Sequence, residues 1–411
     1  MPVPKLRFKE FDGEWAETSF QDLFIFKNGV NASKEQYGSG IKFINVLDII
    51  NNPNGITYDS IIGSVDITSK EIDKNLVKYG DVLFQRSSET REEVGQSNVY
   101  LGKEPVVFGG FVIRGSAQKE YDPIFMNGLL KTDSLRDQIT QLSGGSTRFN
   151  IGQDSLNKVS AYLPSKLEQT KIASFLSAVD EKISLLTKKH ELLWQYKQGM
   201  MQKLFSQQIR FKADDGSEFG EWEETTLGEI ARNISAGATP STLKEKYWGG
   251  HIKWMSSGEL NYKHVYDVEK KITELGFKSS STKLLPKYCV LIGLAGQGKT
   301  RGTVAINYIE LCTNQSIAAI HPNPKVFDHR FIFFNLDMRY QELRGLSTGD
   351  GGRGGLNLQI IRGVELELPC LEEQTKIANF LSAIDQKIEK VAQQIEETKQ
   401  WKKGLLQQIF V

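Results

Sequence analysis

The residues with the most explicit chemical signature are Gly293–Thr300, whose sequence GLAGQGKT matches the phosphate-binding pattern G-x-x-x-x-G-K-[S/T]. In such a loop, the amides and dipole of the helix that follows hold the phosphates of a nucleotide. The next residues, Arg301–Asn307, favour a β-hairpin instead of a helix. Two interpretations stay open: a nucleotide-binding loop, or a glycine-rich hairpin tip that brings Lys299 and Arg301 to the phosphates of DNA.

Arginines near glycine-rich stretches are a second group of residues that could bind a ligand, in this case DNA. Arg148 in GGSTRFN lies opposite Arg353 in GDGGRGG when the two halves of the chain are aligned. An arginine on a flexible loop can reach a phosphate or a guanine edge, although it can equally solvate a surface turn. The candidate DNA-binding residues are Arg86, Arg91, Arg148, Lys299, Arg301 and Arg353.

The sequence lacks the residue patterns of a catalytic site or a metal site. Cys289, Cys312 and Cys370 do not have metal-ligand or disulfide-framework spacing, and the five histidines are scattered. Asp122–Phe125 reads DPIF and lacks the second proline of the adenine methyltransferase motif, and no Ser/His/Asp or Cys/His arrangement is evident. We therefore predict neither a catalytic site nor a metal site in this chain.

The elements that must position these residues are set by an internal repeat. Leu163–Phe205 aligns without a gap on Leu368–Phe410, at a constant offset of 205 residues. Within it, EQTKIASFLSAVD and EQTKIANFLSAID agree at eleven of thirteen positions. A period of half the chain indicates two copies of one large unit and not a solenoid, whose repeats are 20–50 residues long.

The repeated segments predict two long helices. Apolar residues recur at alternating spacings of four and three, which is the pattern of a coiled-coil seam. An amphipathic helix of this length is marginally stable alone, so we expect the two to pack as an antiparallel coiled coil. The predicted seam residues are Ile172, Leu176, Val179, Ile183, Leu186, Ile377, Leu381, Ile384, Ile388 and Val391.

The identical polar residues of the two helices need a reason other than seam packing. We place them at outward positions, where both helices would present one surface to the same kind of partner. The alternative is that the helices only join two domains. The candidate docking residues are Glu168, Gln169, Lys171, Glu373, Gln374 and Lys376.

The phrases RFK and GEW precede both globular segments, at Arg7–Lys9 and Gly13–Trp15 and again at Arg210–Lys212 and Gly220–Trp222. Between GEW and the helices the two copies barely resemble each other in sequence, and short β-rich runs separated by turns predict mixed α and β structure. We predict an α+β protein with an internal pseudo-twofold repeat. The predicted domains are globular segments at 1–162 and 211–367 and helical segments at 163–210 and 368–411.

Composition is that of an ordinary soluble globular protein, and the three cysteines suit a reducing cytosol, so we expect a cytoplasmic protein. The 411 residues carry a net charge of +1, so any DNA surface must be a local clustering of basic residues. The N-terminal residues lack the apolar core of a signal peptide, and no apolar run is long enough to span a bilayer.

The phrase Leu-Pro-x-x-x-Glu-Gln-x-Lys-Ile-Ala-x-Phe-Leu-Ser-x-x-Asp occurs twice and is followed each time by a long helix. In this the whole chain resembles the specificity subunits of type I restriction–modification systems. The resemblance implies two target recognition domains, each reading one half of a split, asymmetric DNA site. It also implies that the helices set the spacing of the half-sites and dock two adenine methyltransferase (modification) subunits.

The resemblance further implies that the chain is not itself an enzyme. Its partners would be double-stranded DNA, two modification subunits and, in complete systems, motor-nuclease restriction subunits, in defence against phage. Cofactors would belong to those partners: S-adenosylmethionine in the methyltransferase, and ATP and magnesium in the restriction subunit. The alternatives left open are a nucleotide-binding protein built on Gly293–Thr300 and a coiled-coil scaffold without a role in DNA binding.

Overall fold

The structure, a computed structural model, describes residues 4–296, 299–346 and 355–410. The chain divides into two compact units. Unit 1 comprises residues 1–188 and 392–411, and unit 2 comprises residues 189–391. Each unit therefore contains a globular part, the start of one long helix and the end of the other.

The described residues of unit 1 form four small sheets. Their strand orders are β1-β11, β2-β9-β5-β7, β4-β3-β8 and β6-β10. The strands are β1 (Ala16–Ser19), β2 (Phe24–Asn28), β3 (Tyr37–Ile44), β4 (Ser64–Val65), β5 (Val82–Gln85), β6 (Ser87–Ser88), β7 (Ser97–Val99), β8 (Val107–Phe108), β9 (Val112–Ala117), β10 (Phe149–Asn150) and β11 (Ser160–Leu163).

Short helices cover these sheets, and the core of unit 1 lies between them and the long helices. Aromatic residues such as Trp15, Phe20 and Phe125 are buried there against Ile172 and Leu176. The helices are α1 (Phe20–Leu23), α2 (Val46–Asn51), α3 (Ser69–Asn75), α4 (Pro123–Leu129), α5 (Asp133–Gln141), α6 (Gln153–Leu156) and the first long helix, α7 (Lys166–Phe205), with a 3-10 turn at Lys34–Gln36.

In unit 2, the part of the chain that the structure describes forms three sheets, with strand orders β12-β21, β13-β20-β17-β18-β15 and β16-β14-β19. The strands are β12 (Glu223–Thr226), β13 (Ile234–Ala236), β14 (Trp248–Met255), β15 (His264–Val265), β16 (Lys270–Ile272), β17 (Val290–Gly293), β18 (Val304–Asn307), β19 (Cys312–Thr313), β20 (Ile317–Ile320) and β21 (Glu365–Leu368).

The helices of unit 2 are α8 (Leu227–Ile230), α9 (Glu274–Lys278), α10 (His329–Met338), α11 (Tyr340–Gly345), α12 (Leu358–Arg362) and the second long helix, α13 (Leu371–Ile409), with 3-10 turns at Glu245–Tyr247 and Ser257–Tyr262. Helices α10 and α12 pack on the five-stranded sheet, whereas α9 packs on β14 and β16. The main core of the unit includes Trp222, Phe331, Ile377 and Leu381.

The two globular parts share a topology that their sequences conceal. In unit 1, β2-β9-β5 are antiparallel neighbours, and in unit 2 the same relation holds for β13-β20-β17. The small sheets β4-β3-β8 and β16-β14-β19 each combine one antiparallel and one parallel pair. The repeat thus extends through the inserts, because backbone pairing is kept while the side chains differ.

The predicted α+β class with an internal repeat and two long helices is confirmed. The long helices pair in an antiparallel manner, since each unit places the start of one beside the end of the other. In unit 1, Asp180 of α7 forms an ion pair with Lys402 of α13. In unit 2, Lys197 Nζ lies 2.5 Å from Asp385 Oδ1, and these are the same two residue types at equivalent positions of the repeat.

The ten predicted seam residues lie on these helices and are buried or half-buried. In unit 1 they pack with Leu405 and Ile409 and also against the globular core. In unit 2, Met201 and Leu204 take the corresponding role. The helices are therefore built into the cores of both units, and their stability comes from tertiary packing.

Candidate DNA interface and the latches that support it

An arginine, a tryptophan and a glutamate form a repeated latch between each globular part and its long helix. In unit 1, Arg7 donates from Nε and Nη2 to the two carboxylate oxygens of Glu168, both at 2.8 Å. Trp15 Nε1 donates to the same carboxylate at 3.4 Å, and the arginine also binds the Gly13 carbonyl. The bidentate, charge-assisted geometry fixes the N-terminal segment on the start of α7.

Unit 2 contains the same latch with comparable distances. Arg210 Nε and Nη2 donate to the Glu373 carboxylate at 3.0 and 2.7 Å, and Trp222 Nε1 donates at 3.1 Å. Arg210 also binds the Gly220 carbonyl at 2.6 Å. The side chain of Glu373 is fully buried, so the arginine is needed to compensate its charge.

The glutamine after each latch glutamate ties the long helix to a second element. Gln169 Oε1 accepts from the backbone N of Asp122, the residue that caps α4, at 3.0 Å. Gln374 Oε1 accepts from Asp328 N, the cap of α10, also at 3.0 Å. The amide nitrogens of both glutamines bind the proline carbonyls just before the long helices. The repeated Glu-Gln pair thus sets how each globular part sits on its helix.

The expectation that these polar residues face outward is wrong for Glu168, Gln169, Glu373 and Gln374, which are buried. Their identity in the two halves is explained by contacts within the chain. Lys171 is exposed and lies 3.5 Å from Glu10, whereas Lys376 binds Asp214 and the Lys212 carbonyl. Sequence reasoning missed Arg7, Trp15, Arg210 and Trp222 as the partners, although the repeated RFK and GEW phrases carried that signal.

The three candidate arginines of unit 1 flank one small sheet. Strand β6 pairs with β10 so that Ser88 faces Phe149, which places Arg86 and Arg91 on either side of β6 and Arg148 directly before β10. All three residues are exposed. Arg86 donates weakly to the Gly110 carbonyl at 3.4 Å, and Arg91 Nε donates to the Thr140 carbonyl at 3.3 Å. Three cations at one exposed edge can contact a phosphate backbone.

In unit 2 the phosphate-loop pattern belongs to a β-hairpin. β17 and β18 are antiparallel, with Val290 opposite Ile306, and the connection closes through Gly293 N to the Thr303 carbonyl at 2.9 Å. The residues after Thr300 lead into β18 and not into a helix, so the amides and dipole of a nucleotide site are missing at this place. The hairpin interpretation is the one that the fold supports.

The two cations of this hairpin differ in exposure. Lys299 is exposed, and its carbonyl accepts from Thr303 Oγ1 and Tyr340 OH. Arg301 is only 8% exposed, which contradicts its predicted place on an exposed tip, because the chain turns back into the sheet at Gly302. Arg353 lies outside the described residues.

The hydrogen bonds show which loop of unit 1 corresponds to this hairpin. Arg86 N binds the Phe111 carbonyl, and its own carbonyl accepts from Ile151 N. In unit 2, Leu294 N binds the Ser316 carbonyl, and its carbonyl accepts from Leu356 N. The loop that carries Arg86 and Arg91 therefore occupies the place of the Gly293–Thr300 hairpin.

Two of the three cysteines, Cys289 and Cys312, are buried, and the described residues hold no group of metal ligands. No cluster of three or more His, Cys, Asp or Glu there could hold a metal ion. Burial raises the pKa of Cys289 to about 12 and that of Cys312 to about 11, so both thiols stay protonated near neutral pH. Within the same ranges, no helix is long and apolar enough to cross a membrane.

Comparison with known protein families gives two matches along this chain. Residues 12–194 and 220–400 both match the family described as "Type I restriction modification DNA specificity domain". Each match covers one globular part and most of the long helix that follows it.

One individual relative matches nearly the whole chain, and another matches less than half of it. A Methanocaldococcus jannaschii protein named the type I restriction enzyme MjaX specificity subunit is 26% identical over 410 residues, 96% of this chain and 93% of the relative. The MjaIX specificity subunit of the same organism is 32% identical over 191 residues, 43% of each chain.

Solved structures agree in fold. The type I restriction–modification S subunit from M. genitalium has a TM-score of 0.58 at 19% identity, with 100% of this chain and 99% of that chain covered. A chain from a study of complex assembly and conformational transition of the type I R-M system has a TM-score of 0.62 at 17% identity, with 97% of both covered.

Proposed function

Because the chain belongs to the type I restriction–modification DNA specificity family, we propose that its two globular parts each read one half of a split, asymmetric DNA site. The observation that carries this proposal is the repeat itself. One topology and one latch occur twice, while the exposed residues of the corresponding loops differ. Two related scaffolds with different surfaces are suited to two different half-sites.

Direct contact with DNA would use the exposed loops of each scaffold. In unit 1 these carry Arg86, Arg91 and Arg148 at the β6–β10 edge, and in unit 2 the corresponding hairpin carries Lys299. Lysine and arginine contacts to phosphates set orientation, whereas arginine bound to a guanine edge can also specify sequence. Arg301 is not included because it is buried.

The long helices would set the separation of the half-sites. Helix α7 begins in unit 1 and ends in unit 2, and α13 runs from unit 2 back into unit 1. The latches at Glu168 and Glu373 hold each globular part on the start of a helix. Helix length between the two latches would then determine the number of base pairs that are skipped, as dimer geometry does in other DNA-binding proteins.

The chain would act with partners that perform the chemistry. We propose that two modification subunits dock on the exposed residues that the two helices share, which include Ala178 and Lys182 with their equivalents Ala383 and Lys387. These subunits would bring S-adenosylmethionine and flip an adenine out of the duplex. Restriction subunits with ATP and magnesium would join for cleavage, and this chain would supply recognition alone.

Exchange of one globular part tests the division of labour. Residues 223–362 would be replaced by the corresponding segment of another specificity chain, which keeps the Arg210–Glu373 latch, β21 and both long helices. Methylated sites would then be mapped in cells that also contain the modification subunit. We expect one half-site to change while the other half-site and the gap are kept. A change in both half-sites would refute independent reading.

A further inference from the structure

Basic residues are concentrated in one segment of unit 2. Residues 241–287 contain nine lysines and five acidic residues, although the whole chain has a net charge of only +1. The corresponding segment of unit 1, residues 31–81, contains five lysines and seven acidic residues. The two scaffolds therefore differ in charge at the same place in the fold.

Three of these nine lysines, Lys253, Lys270 and Lys271, lie on the antiparallel ribbon formed by β14 and β16. Lys253 is directly opposite Lys271, and Trp254 is opposite Lys270. Like charges at directly opposed positions destabilise a strand pair. Asp267 relieves part of this repulsion, because Lys253 Nζ binds it at 2.9 Å. The hydrogen bond to Lys253 is also the main cause that lowers the pKa of Asp267.

Three exposed lysines on or beside this ribbon form no salt bridge among the described residues, namely Lys246, Lys270 and Lys271. Lys246 lies in the turn before β14, and its carbonyl accepts from Thr273 Oγ1 just after β16, at 2.8 Å. Lys270 Nζ lies 5.9 Å from the ring centre of Trp248. Three of the five acidic residues in 241–287 already have partners. Asp267 pairs with Lys253 and Glu274 with His251, and the buried Glu259 accepts from the Ser256 amide.

The corresponding ribbon of unit 1, β3 with β4, has a different surface. Lys42 is the counterpart of Lys253, and its ammonium is bound internally by the carbonyls of Tyr58 and Ile61, both at 2.9 Å. Lys42 faces Ser64, so a serine takes the place of Lys271. The neighbouring Ile62 is 95% exposed, which makes this part of the ribbon apolar.

We infer that the edge strand β16, with Lys270 and Lys271, and the turn before β14, with Lys246, bind the phosphate backbone of duplex DNA, so that unit 2 supplies most of the charge-dependent affinity. This inference rests on the proposed function. Lysine is depleted at protein–protein interfaces, which favours DNA over an acidic protein as the occupant. Because β16 is an edge strand, the long side chains from both of its faces can reach a duplex that lies along this edge, and Gly249, with φ +80° and open space around it, allows close approach.

The test measures how DNA affinity depends on salt. The full chain would carry Lys246→Gln, Lys270→Gln and Lys271→Gln together, a change that removes no ion pair of the described fold. The control carries Lys103→Gln, Lys119→Gln and Lys158→Gln, three exposed lysines of unit 1 with the same loss of charge. Binding to a duplex with the mapped site would be followed by fluorescence anisotropy between about 50 and 200 mM salt.

Each phosphate contact that is lost should reduce the slope of log K against log salt by about 0.9. We therefore expect the slope of the ribbon variant to fall by about 2.7 and its affinity to fall on every sequence tested. The control should keep the slope of the unaltered chain, and both variants should keep its melting temperature.

Three results would overturn the inference. In the first, the unaltered chain binds the split site and the ribbon variant keeps its slope. In the second, the variant keeps its slope but no longer binds the modification subunit, which would make the ribbon a protein-docking surface. In the third, the unaltered chain does not bind the split site at all, and the proposed function fails with the inference.

Discussion

Removing the arginine of one latch should destabilise one unit and leave the other intact. In Arg210→Met the aliphatic part of the side chain is kept, so the change removes charge and hydrogen bonds more than packing. Glu373 would stay fully buried with only the Trp222 hydrogen bond. Breaking a buried ion pair from one side costs about 3–5 kcal/mol. The arginine itself is 23% exposed, so we expect a loss near the lower limit, about 3 kcal/mol.

For a unit of this size, about 3 kcal/mol corresponds to a fall in melting temperature of about 6–12 °C. Hydrogen exchange with mass spectrometry in increasing urea would give the free energy of unfolding of each unit separately.

The double variant Arg210→Met, Glu373→Gln should recover much of the loss, since no buried charge is left unpaired. Arg7→Met should produce the matched effect in unit 1. If Arg210→Met changes the stability of unit 2 by less than about 0.5 kcal/mol, or if the double variant is no better than the single one, our account of the latch is wrong.

Three further predictions concern pH, spacing and nucleotides. Burial lowers the pKa of three histidines, namely His264, His321 and His329. These histidines bind fewer protons in the folded than in the unfolded state, so unit 2 should lose stability as the pH falls below about 6.5. Unit 1 has no histidine and should not show this loss. Urea unfolding of each unit at pH 7.5 and 5.5, followed by hydrogen exchange, measures the difference. Inserting one heptad after Leu186 and a matched heptad after Val391 adds about 10.5 Å to each long helix. The gap in the mapped DNA site should therefore grow by about 3 base pairs, with both half-sites kept. Altered half-sites would contradict the spacer role. Mg-ATP should not raise the melting temperature of the chain, and Lys299→Ala should weaken DNA binding without any nucleotide-linked effect; a Lys299-dependent thermal shift with Mg-ATP would restore the nucleotide-binding interpretation.

The long helices could be predicted because coiled-coil packing imposes a repeating pattern on the sequence. Ile172, Leu176 and Val179 recur as Ile377, Leu381 and Ile384, and both sets are buried. The repeated Glu and Gln were assigned to the wrong face, because a periodic pattern cannot tell a polar residue that faces solvent from one that is paired inside the fold. The arginine that pairs with each glutamate lies more than 160 residues away along the chain.

The shared topology of the globular parts could not be predicted, because backbone pairing constrains the side chains only weakly. Asn45 and Asp48 form a capping box after β3, and Ser256 and Glu259 form the equivalent box after β14 with different residue types. Arg86 and Leu294 share one pattern of backbone hydrogen bonds, yet one is a cation and the other is apolar. The same freedom makes the DNA-contacting residues the least predictable part of the chain.

The central claim is that this chain gives an adenine methyltransferase its DNA sequence specificity. The most direct measurement is genome-wide adenine methylation in cells that contain a cognate modification subunit, with and without this chain. We expect a new methylated motif that is split and asymmetric, present only with the chain. If no motif appears while the complex forms and the same modification subunit is active with another specificity chain, the claim is contradicted and the scaffold interpretation is favoured.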